Sequence, residues 1–380
     1  MTRKVLFTAS TFSHIRNFHL PYLKYFQAGG WAVHVACGGE RLPIPYADRI
    51  IRLPFKKRMQ SPANFQAAAI LRKEIRREGY DLISTHTSLA AFFTRLAVKG
   101  MKGRPTVVNT VHGYLFDDRT PALKRKILLA AERFTAPQTD LLLTMNRWDC
   151  ELARRHRLGK RTTNIPGVGV DFSRFDRESS GAGPALRNEW GVSQDAFVLI
   201  CPAEFSKRKS QEVLIQALAE LPERAVLVLP GQGALMEKCR ALAARLGLEG
   251  RVIFPGQVED MASWYAMADA AASASRSEGL PFNVMEAMYC GLPVAASAVK
   301  GHTDLIAHGG TGLLYPYGDP AACAGVLRAL MDSEPLRRSL GQAARDSVGQ
   351  YALDRVLPQV TARLEALVRP PAAGGSETQD

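Results

Sequence analysis

The sequence predicts an α/β protein with two doubly wound parallel sheets. The chain has 380 residues, which exceeds the length at which a single hydrophobic core usually stops growing, so two domains are expected. Short apolar runs alternate with helix-like stretches in two successive series, and 46% apolar residues suffice to fill two cores. Strands that alternate with helices form parallel sheets with helices on both faces. Ligands of such sheets gather at the carboxyl ends of the strands.

The first series begins with a buried strand over residues 4–10, which is followed by a polar turn. Further strands are expected at 31–37, 52–54, 82–85, 106–110 and 141–144. Helices are expected at 18–27, 62–78, 88–98 and 121–134. This first domain is predicted to end at residue 178.

The periodicity lapses between Ile165 and Ala185, where Gly, Ser and Pro are frequent, and this passage is the predicted interdomain linker. The second domain, 179–349, has strands expected at 197–201, 225–229, 252–254, 268–273 and 294–296. Its helices are expected at 211–220, 235–246, 281–289 and 320–332. The two domains are expected to face a central cleft, with a helix at about 350–368 packing back on the first. Residues 369–380 lack apolar side chains to bury, so a disordered tail is expected there.

Positive charge is concentrated in the first half of the chain. Residues 1–200 contain 32 Lys and Arg against 16 Asp and Glu, whereas the remainder contains 17 against 20, within an overall formal charge of +13. Such a surface attracts nucleic acid, anionic lipid or a phosphorylated substrate, or is simply a solvated surface. No recognised nucleic-acid-binding module accompanies the basic clusters, and no aromatic residues interleave with them. Nucleic acid is therefore not an expected partner, although a nucleic-acid binder stays a rival interpretation.

Other function classes lack their sequence signals. The six cysteines are scattered without a Cys-x-x-Cys pair, so neither a disulfide framework nor a zinc site is predicted. No apolar run approaches the roughly 18–20 residues of a membrane-spanning helix, and the first ten residues indicate a strand rather than a signal peptide. A cytoplasmic protein is expected.

The segment from Ser275 to Val294 carries the strongest chemical signal. An expected strand end leads into Glu278 and Gly279, Pro281 suits a first helical position, and Glu286 follows about one and a half turns later. Amides at a helix start attract phosphate, and glycine lets a ligand approach the backbone. The two carboxylates could accept hydrogen bonds from sugar hydroxyls. Alternatively, they merely complement the helix dipole.

Together with other fragments, this segment resembles the family 4 retaining glycosyltransferases of GT-B fold, in the branch that assembles capsular and exopolysaccharides. The matching fragments are Glu278 to Glu286 with Ala287-Met288 and Cys290 to Pro293, Ser13-His14-Ile15, Phe18-His19 with Pro21 to Leu23, His86-Thr87, Thr110 to Tyr114 with Phe116, and Pro166 to Asp171. They occur in order between about Lys4 and Leu314. The resemblance implies retaining transfer of a hexose or N-acetylhexosamine from a nucleotide diphosphate sugar, expected to be a UDP-sugar.

The resemblance also implies roles for residues of the second domain. Glu286 would bind the ribose and Glu278 the transferred hexose, while Lys209 would hold the diphosphate and stabilise it as it leaves. The remaining donor-binding candidates are Gly279, Leu280, Pro281, Asn283 and Val284, together with Val258 beside the nucleobase. No metal or other cofactor is then required.

One position departs from the family pattern. Many relatives carry an arginine five residues before the lysine, and this chain has Glu204 there. Arg208 or Lys207 could replace that cation, or Glu204 could face an amino-sugar acceptor or pack elsewhere.

In the first domain, histidines are the candidates. His112 follows the expected strand 106–110, and the resemblance places it beside the hexose as a catalytic residue. His14, Ser13 and His86 are acceptor-side candidates. For each histidine, a buried residue with a purely structural role is the alternative.

Competing motifs are incomplete. Gly231-Gln232-Gly233 lacks the third glycine of a dinucleotide fingerprint because Met236 stands there, and no phosphate-binding Gly-x4-Gly-Lys-Ser/Thr loop exists. Asp117 and Asp118 are adjacent, so an ordinary solvated loop explains them better than a metal-binding Asp-x-Asp motif. A nucleotide-sugar epimerase of similar fold is the main alternative function.

The resemblance further implies an acceptor that is an oligosaccharide or a sugar on a polyprenyl diphosphate. The basic clusters of the first domain, among them Lys124-Arg125-Lys126, would then hold the enzyme peripherally against an anionic membrane.

Overall fold

The computed structural model describes residues 2–176 and 181–368. Within these residues the chain divides into two compact units, the first containing 2–168 and 355–368 and the second containing 169–176 and 181–354. Val170 already belongs to the second unit, because it forms a parallel β-bridge with Ala352. The predicted boundary between 178 and 179 and the predicted tail at 369–380 lie outside the described residues.

The first unit is built on one parallel sheet. Its strands are β1 (Lys4–Ala9), β2 (Ala32–Cys37), β3 (Arg49–Arg52), β4 (Leu82–His86), β5 (Thr106–Val111), β6 (Leu141–Thr144) and β7 (Thr162–Asn164). Its helices include α1 (Phe12–Phe18), α2 (Leu20–Ala28), α3 (Pro62–Glu78), α4 (Ser88–Val98), α5 (Ala122–Thr135) and α6 (Arg147–Arg155). The strand order is β3-β2-β1-β4-β5-β6-β7, so the direction of winding reverses between β1 and β4.

The second unit repeats this order. Its strands are β8 (Phe197–Ile200), β9 (Ala225–Pro230), β10 (Val252–Gly256), β11 (Ala270–Ser273), β12 (Val294–Ser297) and β13 (Leu313–Tyr315). Its helices are α7 (Ala182–Glu189), α8 (Gln211–Ala219), α9 (Met236–Arg245), α10 (Met261–Ala266), α11 (Phe282–Tyr289), α12 (His302–Leu305), α13 (Pro320–Asp332) and α14 (Glu334–Val348). The strands are parallel in the order β10-β9-β8-β11-β12-β13, and the reversal lies between β8 and β11.

Local sequence explains the best-predicted helices. Pro62 occupies the start of α3, where its missing N–H costs nothing, and Gly79 ends the helix in a left-handed conformation with φ of 62°. Apolar residues at helical spacing, such as Leu71 and Ile75, are fully buried against the sheet. The observed α3, α4 and α13 have the predicted bounds.

Other elements differ from the prediction. The expected helix at 18–27 corresponds to α2, and the expected polar turn before it contains a further helix, α1, which meets α2 at His19. The predicted linker overlaps α7, which begins at Ala182. Gly183 and Pro184 lie within this helix, and Gly183 packs closely on the backbone of Ala266. Helix α14 was not predicted although Ser333 caps it, and β7 and β13 were not predicted because each strand is only three residues long.

The last described helix, α15 (Leu353–Glu365), returns to the first unit from Arg355 onwards. There the hydroxyl of Tyr25 donates a hydrogen bond of 3.1 Å to the Glu365 carboxylate. All six cysteines are free thiols, of which five are buried and Cys290 is half-buried. None of the helices in the described residues has the length and apolar character needed to cross a membrane.

Candidate active site

The first candidate site lies at the winding reversal of the second unit, where ligands of doubly wound sheets bind. The loop after β8 carries Arg208 and Lys209, and the loop after β11 carries Glu278. Lys209 Nζ donates to Glu278 Oε1 at 2.7 Å, and Arg208 Nη1 donates to Glu278 Oε2 at 2.6 Å. The carboxylate is buried, being only 6% exposed, whereas the guanidinium faces solvent. The structure thus brings together two of the predicted site residues and Arg208, one of the two cations considered as a replacement for the family arginine.

The charge of Glu278 is maintained by these cations. Burial alone raises the pKa of a carboxyl group, but the charges of Lys209 and Arg208 outweigh that effect and hold the pKa of Glu278 at about 2. The group is therefore an ionised acceptor at neutral pH. A second anion at this position would compete with Glu278 for the same ammonium group.

Glu286 lies on α11, one turn beyond the helix start, and is also buried. Its carboxylate lies 3.1 Å from the hydroxyl of Tyr265 and forms an ion pair with Arg174. Burial raises the pKa of Glu286, and the opposing effects of Arg174 and Tyr265 leave it above the ordinary value. Sequence reasoning missed Arg174 and Tyr265, because neither belongs to a motif that includes Glu286.

The start of α11 is one residue later than predicted. Pro281 has an extended conformation and precedes the first helical residue, Phe282, rather than occupying it. Gly279, Leu280 and Pro281 are buried beside Glu278. The side chain of Asn283 donates a hydrogen bond of 2.9 Å to the carbonyl of Pro202, which joins α11 to the loop after β8.

Two valines among the candidates offer no side-chain hydrogen bonds. Val284 is buried within α11, and Val258 follows β10 in a half-buried loop. Any contact of these residues with a nucleotide would therefore be through the backbone or through apolar packing.

Gly301 is a residue of this site that the sequence analysis did not identify. It has φ of 84°, and a Cβ atom there would lie 2.8 Å from Glu278 Cβ and 2.9 Å from the carbonyl of Gly279. The loop after β12 can therefore contact the Glu278 backbone only with glycine at this position. The sequence signal that could have identified Gly301 is a Gly-His pair shortly after a strand.

Glu204 has an exposed side chain, although its backbone is well fixed. Gln211 donates a hydrogen bond of 2.9 Å to its carbonyl. The Gly231-Gln232-Gly233 turn packs against the same segment, and a Cβ atom on Gly231 would lie 2.1 Å from the carbonyl of Ala203. Gly231 and Gly233 thus allow their turn to pack closely against the backbone of this segment beside the site.

The second candidate site lies at the winding reversal of the first unit. His14 is on α1, His86 ends β4 and His112 follows β5, and His19 joins them from the junction of α1 and α2. His86 Nδ1 lies 3.2 Å from His112 Nε2, and His19 Nε2 lies 3.3 Å from His14 Nε2. Ser13 is exposed and contacts Thr11 instead. His19 was named only as part of a motif and not as a site residue, because no local feature of the sequence predicts that it lies beside His86.

The four rings are uncharged at neutral pH. Burial lowers the pKa of His14 to about 4. It also lowers the pKa values of His19, His86 and His112 well below that of a free imidazole, and the neighbouring imidazoles add to this effect.

Asp117 and Asp118 form part of a structural turn. Asp117 was expected in a solvated loop, but the structure shows that it is buried. Its carboxylate accepts hydrogen bonds from Arg119 N and Thr120 Oγ1. Asp118 accepts a hydrogen bond of 3.1 Å from the Trp148 indole. Both carboxylates therefore have structural hydrogen bonds.

Comparison with solved structures shows the fold. A crystal structure of the Anabaena protein HepE in complex with UDP and glucose has a TM-score of 0.79 and 21% identity, over 96% of this chain and all of that one. The structure of WaaG, a glycosyltransferase involved in lipopolysaccharide biosynthesis, has a TM-score of 0.76 and 20% identity, over 95% of this chain and 99% of that one. The predicted GT-B class, with two Rossmann-like domains, is confirmed.

Sequence comparison shows the family. Residues 184–347 match the family described as Glycosyl transferases group 1, and residues 22–174 match Glycosyltransferase Family 4. A Bacillus subtilis (strain 168) protein named as the glycosyltransferase EpsD is 34% identical over 365 residues, covering 95% of this chain and 96% of its own. N-acetyl-alpha-D-glucosaminyl L-malate synthase of Bacillus anthracis is 28% identical over 309 residues, covering 78% of each chain. With both family matches in sequence order and a relative that matches almost end to end, the chain belongs to the family 4 glycosyltransferases and is a glycosyltransferase.

Proposed function

We propose that this glycosyltransferase transfers a hexose or an N-acetylhexosamine from a UDP-sugar to a glycan or to a sugar on a polyprenyl diphosphate, in the synthesis of a surface polysaccharide. The observation that carries the proposal is the convergence of Lys209 and Glu278 at the winding reversal of the second sheet, with Glu286 on the helix that follows. The UDP and glucose of the HepE crystals and the named role of WaaG support the donor and the product class.

The second unit would bind the donor. Glu286 would accept hydrogen bonds from the ribose and Glu278 from the transferred sugar, because both are buried acceptors next to the start of α11. Lys209 Nζ, which pairs with Glu278 in this structure, would share its charge with the diphosphate. Val258, Asn283 and Val284 would line the nucleotide.

Catalysis would come from stabilising the leaving group. As the glycosidic bond to the diphosphate breaks, negative charge grows on the phosphate oxygens, and a preplaced ammonium group stabilises that charge. The electron pair of the bond leaves with the diphosphate, and the acceptor hydroxyl bonds to the anomeric carbon from the same face, giving retention. This charge stabilisation does not require a metal ion at the diphosphate.

The first unit supplies the acceptor-side candidates. His112, His14, Ser13 and His86 lie at or beside the winding reversal of its sheet. Neutral imidazoles can accept a proton from an incoming hydroxyl, and among them we assign the contact with the sugar to His112.

Donor and reaction can be tested together. Thermal unfolding of the full chain with a panel of UDP-sugars and GDP-mannose should show a raised Tm for a UDP-sugar, because a ligand that binds only the native state stabilises it. NMR of the product should then show the anomeric configuration of the donor. Stabilisation by GDP-mannose alone, or an inverted product, would contradict the proposal. Release of a free epimer from donor alone would indicate the epimerase.

An exposed surface of α5 that combines apolar and basic side chains supports a lipid-linked acceptor. Leu123 and Ile127 are 72% and 61% exposed, and Lys124, Arg125 and Lys126 lie between them. Exposed apolar side chains interleaved with basic ones are typical of helices that lie on an anionic membrane surface.

This surface can be tested by vesicle sedimentation. Replacing Lys124, Arg125 and Lys126 with glutamine should weaken binding to anionic vesicles at low salt roughly 100-fold, since each basic residue near such a surface contributes about 1 kcal/mol. The matched control replaces Arg154 and Arg155 at the end of α6, together with Arg157 just beyond it, and should retain binding. Equal losses in both variants would argue against a role specific to α5.

A further inference from the structure

The four imidazoles of the first unit form one compact cluster. His14, His19, His86 and His112 each contribute one ring nitrogen, and these four atoms all lie within 4.8 Å of one another. The residues come from α1, the junction of α1 and α2, the end of β4 and the loop after β5. The cluster is therefore held by the sheet and by two helices, and no motif of adjacent residues encodes it.

The spacing suits coordination of one ion. A zinc ion binds imidazole nitrogen at about 2.0–2.1 Å, so two nitrogens on a tetrahedral ion are about 3.3–3.4 Å apart. Two nitrogen pairs of the cluster are 3.2 Å (His86 to His112) and 3.3 Å (His19 to His14) apart. All four ligand nitrogens lie within 4.8 Å of one another.

The chemistry of the imidazole ring suits a cation rather than an anion, because a neutral ring nitrogen offers a lone pair. Neutral rings attract phosphate weakly, whereas neutral imidazole is the form that binds transition metals.

A supporting contact orients one of the rings. Ser84 Oγ lies 3.0 Å from His86 Nε2, which leaves His86 Nδ1 directed at the cluster. Metal-binding histidines are commonly oriented by a hydrogen bond to the other ring nitrogen. His19 and His86 are almost fully buried, but His14 and His112 are partly exposed, so an ion has a path from solvent.

We propose that His14, His19, His86 and His112 form a binding site for one divalent transition-metal ion of the Zn²⁺ class. Imidazole ligands favour Zn²⁺, Co²⁺, Ni²⁺ and Cu²⁺ over Mg²⁺ or Ca²⁺, which take oxygen ligands. A bound ion joins both helices to the carboxyl ends of β4 and β5 and occupies a lone pair of His112. The site is distinct from the charge cluster around Glu278, but it shares His14, His86 and His112 with the proposed acceptor side, so a bound ion would compete with the proposed contact between His112 and the sugar.

The test uses Co²⁺ as a spectroscopic substitute for Zn²⁺. Titration of the purified full chain with Co²⁺ should give the intense visible bands of a four-coordinate ion with a stoichiometry of one, and Zn²⁺ should displace it. Zn²⁺ should also raise the Tm of the protein, whereas Mg²⁺ should not.

Variants locate the ion. His14→Gln, at a partly exposed position, and separately His112→Gln should abolish the Co²⁺ bands while circular dichroism stays native. His156→Gln, at the end of α6 and away from the cluster, is the matched control and should retain them. The proposal is overturned if the wild-type chain shows only the weak spectrum of hydrated Co²⁺, or if both cluster variants keep the wild-type bands. In that case the imidazoles only hydrogen-bond to one another.

Discussion

The winding reversals of the two sheets occupy equivalent places in the fold but have opposite chemistry. Between β8 and β11 a buried carboxylate, Glu278, is held ionised by Lys209 and Arg208. Between β1 and β4, histidines His14, His19 and His86 are packed together uncharged, and His112 joins them from the neighbouring strand β5. The same topology thus supports a site of paired charges in one unit and a site of uncharged imidazoles in the other. The strand order determines where side chains converge, but it does not determine their chemistry.

Substitutions can test this contrast between the two sites, and the largest effect is expected when Lys209 is replaced. Replacement by methionine removes the buried ammonium group, and kcat should fall about 10²–10³-fold, as is typical when one group that stabilises developing negative charge is lost. Lys207→Met, in the same loop but exposed, is the control and should have near wild-type kcat. Steady-state kinetics measures both, and full turnover by the Lys209 variant would remove the proposed role.

The next largest effect is expected at Glu286. Glu286→Ala removes a buried acceptor, and the Kd for UDP measured by calorimetry should rise about 10- to 100-fold, since hydrogen bonds to a charged group contribute about 1.5–3 kcal/mol. Glu237→Ala, on the exposed surface of α9, serves as the control. An unchanged Kd in the Glu286 variant would show that the nucleotide does not use this carboxylate.

Acid should affect the two units at different pH. The imidazole pKa of His14 falls from 6.5 in the unfolded chain to about 4, so the unfolded chain binds more protons and the stability of the first unit is lost as pH falls from about 6.5 towards 4. Glu278, with a pKa of about 2 against 4.5, loses its contribution only as pH falls below about 4.5.

Amide hydrogen exchange followed by mass spectrometry tests this order. At pH 5, protection corrected for intrinsic exchange should drop on the order of tenfold in β1 and β4, because each unit of pKa shift corresponds to about 1.4 kcal/mol. Peptides from β8 and β11 should keep their protection. Simultaneous loss in both sheets would show that the histidines do not set the acid sensitivity of the first unit.

The smallest effect is expected from Glu204→Arg, which introduces the cation that the family resemblance leads us to expect at this position. The side chain is exposed, so the added charge should tighten UDP binding by less than about fivefold, in line with the weak interactions of exposed charges. Glu220→Arg, at the end of α8, controls for the change in net charge. Weaker binding in the Glu204 variant would instead indicate that the carboxylate contacts the substrate.

Local features of the sequence predicted much of the fold and about half of the residues in the charged site around Glu278. Gly79 after α3 and Asp319 before α13 mark helix ends through short-range hydrogen bonds, and the predicted bounds of those helices were confirmed. The resemblance placed Lys209 and Glu278 in the same donor site, but the ion pair between them was not predicted. Short strands such as β13 were missed because three residues carry too little periodicity.

The sequence alone determined the alternation of strands and helices, because this alternation depends on neighbours within a few positions, and the resemblance of its motifs to a known family implied the GT-B class. Only the tertiary structure decided that Arg174 meets Glu286, that Gly301 supports the backbone of Glu278, and that His19 completes a cluster with His86. Such contacts join residues that are distant in the chain. They depend on strand order and on close packing, for which a single sequence carries no local signal.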